Sequence, residues 1–76
     1  MKEDGAVLPL GFADDGQELI VKKVSGTPET KKHLENLGFV PGSEIMILHR
    51  AAGNLIVKVK ESRIAIGEEM ARRIMV

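Results

Sequence analysis

The chain has 76 residues, 11 basic and 11 acidic side chains, no cysteine, and only Phe12 and Phe39 as aromatic residues. A chain this short supports one hydrophobic core, so residues 1–76 are expected to form a single domain with 1–7 as a flexible tail. The missing cysteines exclude disulfides, thiolate metal sites and cysteine nucleophiles, and the cancelled charge together with the lack of Trp and Tyr argues against nucleic-acid binding.

Leu8 to Gly16 mixes apolar residues with Pro9, Gly11, Asp14, Asp15 and Gly16, which predicts an irregular leading segment closed by a turn. Gln17 to Val24 is rich in β-formers and predicts the first strand, with Leu19 and Val21 on one face. The adjacent Lys22 and Lys23 break the alternation, as a β-bulge would. Ser25-Gly26-Thr27-Pro28 is a helix-start signal: Thr27 is suited to cap free N–H groups and Pro28 to occupy the first helical position. The helix is expected to run to about Leu37, with Thr30, Leu34 and Leu37 as its apolar edge. Gly38 is placed to end it in a left-handed conformation, Phe39 to fold back on the last turn, and Pro41-Gly42 to make a type II turn.

From Glu44 onward the pattern is β. Glu44 to Arg50 and Leu55 to Lys60 form a hairpin around Ala51 to Asn54, with Ile45, Ile47 and His49 on one face opposite Val57 and Val59. That alternation leaves Met46, Leu48, Ile56 and Lys58 on the reverse face. Arg63 to Ile66 predicts a short strand, Gly67 to Ala71 one helical turn, and Arg72 to Val76 a last strand with Ile74 and Val76 inward. The result is a mainly β domain: a small barrel of about five strands, with one short α-helix between strands one and two.

Few residues suggest chemistry. His33 and His49 lie on different elements without a carboxylate at a ligand spacing, so no metal site and no tightly bound transition metal are expected. Glu68-Glu69 reads as the acidic start of a helix, and Asp14-Asp15 before Gly16 as a turn. Ser25, Ser43 and Ser62 stand in turns without a base nearby in sequence, and no dinucleotide fingerprint or phosphate loop is present. The chain therefore reads as no enzyme and as carrying no cofactor. Its longest apolar run is Ile45-Met46-Ile47-Leu48, far from the roughly 20 residues that cross a bilayer, so direct membrane insertion is not expected. Lys2, Glu3 and Asp4 lead into no apolar stretch of secretory type, which points to a cytoplasmic location.

Leu37 to Gly42 reads LGFVPG, which resembles the helix-ending element of the FeoA family, with Phe39 where the family usually has leucine or isoleucine. Pro9-Leu10 and Gly16 fit upstream. Ile45, Ile47, Gly53, Ile64-Ala65-Ile66 and Ala71 to Val76 follow at fitting distances, while Ala13 and Asp15 depart from the family's leucine and proline. The resemblance spans Leu8 to Val76. It implies an SH3-like barrel and a non-enzymatic accessory role in ferrous iron uptake beside FeoB, a membrane transporter with a GTP-binding domain. The expected partner surface is the apolar outer face of the hairpin, Met46, Leu48 and Ile56, with Arg50 and Lys58 at its edge, taking FeoB or another copy of the chain. The alternative implied by the resemblance is a metal-sensing or regulatory domain like the C-terminal part of iron-dependent repressors, which the lack of a DNA-reading helix disfavours.

Overall fold

The structure, a computed structural model, describes residues 7–76; of the expected tail only Val7 falls among them. A 3-10 turn at Leu10–Phe12 is followed by β1 (Glu18–Ile20), β2 (Lys23–Val24), α1 (Pro28–Leu37), β3 (Glu44–Ala51), β4 (Asn54–Val59), β5 (Ser62–Gly67), α2 (Glu68–Ala71) and β6 (Ile74–Met75). The strands form a four-stranded antiparallel sheet in the order β1-β3-β4-β5 and a two-stranded sheet of β2 and β6. They surround one core without closing into a continuous barrel ladder.

The expected first strand is two strands, and this raises the count among the described residues from five to six. The chain leaves one sheet for the other at the lysines. Val21 N–H donates to Ser43 O at 2.9 Å, and the next amide, Lys22 N–H, donates to Met75 O at 2.8 Å. The irregularity that the paired lysines announce is thus a handover between sheets, with Val21 buried at the corner.

Helix α1 begins and ends as its sequence dictates. Thr27 Oγ1 accepts from Thr30 N–H at 3.2 Å, and Pro28 occupies the first turn where its missing donor costs nothing. Gly38 has φ 107°, donates to Glu35 O at 2.9 Å, and is followed by Phe39 donating to Leu34 O at 2.9 Å, the paired bonds of a Schellman end. Ser43 Oγ donates to Gly38 O at 3.0 Å. Ser43 N–H donates to Val40 O at 3.0 Å across Pro41 and Gly42, and Gly42 has φ 95°, so the turn is type II. Gly42 N–H in turn donates to Val21 O at 2.7 Å. LGFVPG therefore stops the helix, buries Phe39 and ties the next strand to the sheet corner within one hexapeptide.

Ile45, Ile47, Leu55, Val57, Val59 and Ile66 line the inner face of the four-stranded sheet, and Leu34, Phe39, Ile74, Val76, Leu10 and Ala71 complete the core. Leu19 and Leu37, expected on apolar faces, and Ile64 on β5 are half-buried at its margin. On the helix it is Leu34 that is fully enclosed.

The β3–β4 turn contains a local conflict. Ala52 has φ 50° and Gly53 φ 81°, the two left-handed positions of a type I′ hairpin turn. An alanine there carries about 1 kcal/mol of steric cost that asparagine relieves by local hydrogen bonding. Ala52→Asn is expected to raise stability by about 0.5–1 kcal/mol, read as a higher urea midpoint at unchanged slope.

Candidate functional site on the outer sheet face

The outer face of the four-stranded sheet follows from register. Glu18, Met46, Lys58 and Arg63 form one cross-strand row, Ile20 and Glu44 a second, and Ile56 and Ala65 a third. The β3–β4 ladder shifts between Ile47 and His49. This bulge around Leu48 re-aims everything after it. His49, expected on the inner face with Ile45 and Ile47, pairs instead with Ile56 and is exposed at the outer face. Arg50 pairs with Leu55, whose side chain is buried.

Four of the five expected partner residues are thereby brought together. Leu48 is 37% exposed, Met46 and Ile56 are half-buried, and Lys58 is an exposed charge in the Met46 row. Arg50 is turned elsewhere. Its Nε donates to Asp15 Oδ1 at 2.7 Å, Nη1 to Gly11 O at 2.8 Å, and Nη2 to Ala13 O at 2.5 Å. One planar guanidinium fits this work because it carries several donors in fixed directions. The Arg50–Asp15 pair is itself weak, because both groups are well exposed to water. Its effect is to fix the path of the leading segment past the end of β3.

Sequence reasoning missed two apolar residues. Ile20, 44% exposed, belongs to the same outer face, and simple alternation from Leu19 and Val21 was sufficient to place it there. Phe12, 74% exposed on the 3-10 turn, had no periodic signal. Between the rows lies a cleft of about 370 Å³, flanked by Glu18 and Glu44 on one side and Lys58 and Lys60 on the other, with Met46 among its lining residues.

The remaining candidates are dispersed. His33 is exposed on α1, far along the chain from His49 on β3, and among the described residues no group of three His, Asp or Glu side chains is placed to hold an ion. Ser25 Oγ donates to Arg73 O at 3.4 Å and Ser43 Oγ to Gly38 O, so both hydroxyls have backbone partners. Glu68 and Glu69 open α2 and are exposed. Among the described residues no helix is long and apolar enough to cross a membrane.

The FeoA domain family matches residues 8–76. The chain belongs to the FeoA family. FeoA proteins are non-enzymatic accessories of ferrous iron transport. A Methanocaldococcus jannaschii protein provisionally named Fe(2+) transport protein A is 38% identical over 68 residues, which is 90% of this chain and 83% of its own. Among solved structures, an FeoA described as an iron uptake regulatory protein is 34% identical with a TM-score of 0.84, over 93% of this chain and 95% of that one. The FeoA of Stenotrophomonas maltophilia, solved with zinc and described as an SH3 domain protein, is 24% identical with a TM-score of 0.75, over 86% of this chain and 84% of its own. This arrangement of strands is the SH3-like fold of FeoA proteins, here with its two sheets unjoined.

Proposed function

We propose that this FeoA protein acts in the cytoplasm by docking on an FeoB-type transporter through the outer face of the β3–β4 hairpin, with Met46, Leu48 and Ile56 as apolar anchors. Lys58 is the charged neighbour that sets orientation, and Arg50, engaged with the leading segment, stands outside the contact. The observation that supports this most is the face itself. A sheet in a small domain needs apolar residues on one side only, yet here Ile20 and Leu48 stand 44% and 37% exposed beside Met46 and Ile56. The flanking carboxylates and ammonium groups suit a protein segment that carries both charges, because a ligand of one sign meets repulsion on one side.

Replacing Met46 and Leu48 together by serine is expected to change the unfolding free energy by about 1 kcal/mol or less, since neither is fully enclosed. The same variant is expected to bind FeoB about thirtyfold more weakly, the loss typical of truncated interface anchors. Pull-down and titration against FeoB, with and without nucleotide, check it. Wild-type affinity in the folded variant would remove this face from the interaction.

A further inference from the structure

The four-stranded sheet ends at β5, and among the described residues nothing pairs with its outer side. The orientation of its backbone follows from the ladder. Val59 and Ser62 close a two-residue turn, Val57 faces Ile64, and Leu55 faces Ile66, with the register unbroken. Glu68 N–H donates to Gly53 O at 3.1 Å, which extends the same alternation past the strand end. Even-numbered residues of β5 therefore spend their N–H and C=O groups on β4, and Arg63, Ala65 and Gly67 aim theirs at the open side. Six residues long, unbulged and without proline, this edge has only Arg63 as a charged guard.

We propose that β5 pairs antiparallel with β5 of a second copy of this chain, Ala65 facing Ala65 across a two-fold axis, with Arg63 of each copy reaching Glu68 of the other. This goes beyond docking on FeoB and rests on different residues. The register is the one that uses all the outward groups, because it sets Arg63 opposite Gly67 and Ala65 opposite its own copy, each an exchange of N–H and C=O. On the inner face it brings half-buried Ile64 against Ile66. Charge favours it too. Within one chain Arg63 stands directly opposite Lys58, a like-charge cross-strand pair, and among the described residues the salt bridge formed is Arg50–Asp15, which leaves Arg63 and Glu68 unpaired. Gly67 has no side chain, so the guanidinium has room to pass over it toward the carboxylate at the start of the partner's α2. The product is a sheet of twice the width carrying two copies of the outer face side by side.

Sedimentation of the intact chain over a concentration series tests this. A reversible dimer is expected. Arg63→Glu and Glu68→Arg are each expected to raise its dissociation constant about tenfold or more, and the double reversal to restore it. Ala65→Pro removes an N–H that β4 does not use, so it is expected to give a folded monomer by circular dichroism. A wild-type chain that stays monomeric at millimolar concentration, or a dimer that persists in folded Ala65→Pro, overturns the pairing. A double reversal no better than the single ones overturns the register.

Discussion

Gly38→Ala is expected to destabilise the domain by about 3 kcal/mol or more, two effects adding at one position. The first is backbone strain: at φ 107° an L-residue lies outside even the ordinary left-handed well. The second is space, because a Cβ built on Gly38 would sit 2.8 Å from Val59 Cγ1, and Val59 is enclosed in the core and cannot swing aside. Gly42 separates the two. Its φ is 95°, but a Cβ there meets nothing within 4 Å, so Gly42→Ala should show strain alone, about 1–2 kcal/mol. Urea unfolding of both variants gives the comparison. Equal losses would show that the Val59 contact relaxes at little cost, and a Gly38→Ala/Val59→Ala cycle would then show no coupling.

Phe39→Ala is expected to cost about 3–5 kcal/mol, the usual range for removing a fully enclosed aromatic ring. Total stability for a domain of this kind is about 5–15 kcal/mol, so much of the population should be unfolded at modest temperature. Phe39 is fully buried, and the hydrogen bond its N–H donates to Leu34 O fixes where the ring enters the core. Phe39→Leu keeps most of the apolar volume and should cost less than half as much, in keeping with the aliphatic residue that the family resemblance leads one to expect there. Phe12→Ala, removing a ring that is 74% exposed, should stay within about 0.5 kcal/mol. A thermal scan of the three variants orders them. If Phe39→Ala melts with Phe12→Ala, the ring is not part of the core. Leu37→Ala, at a half-buried position, belongs between them.

The helix and its exit were legible because every signal there is local: Thr27 and Pro28 start it, Gly38 stops it, and each acts through bonds within a few residues. The pairing of Ile45 and Ile47 with Val59 and Val57 was legible from alternation. Alternation fails where the count of residues along the strand is no longer in step with its partner. The bulge after Ile47 therefore sent His49 to the outer face and turned Arg50 toward the leading segment, and nothing in the residues of β3 marks that extra position. The burial of Leu10, under an irregular 3-10 turn, was equally invisible, since it depends on contacts with distant residues. For the candidate site, Met46, Leu48 and Ile56 could be read from period two. The clasp of Arg50 on Gly11, Ala13 and Asp15 could not, because it joins positions far apart in the chain.

The handover at Val21 and Lys22 has a consequence for how the domain opens. These neighbouring amides are bonded into different sheets, one to Ser43 O and the other to Met75 O, around a side chain that is 1% exposed. Breathing of either sheet must bend the backbone at this corner and so loosen the other. Hydrogen exchange at these two amides should accordingly require the whole domain to unfold, with similar protection at both, while amides of the leading segment exchange through smaller local openings. A corner of two residues would make two small sheets, neither of them independently stable, into one cooperative unit.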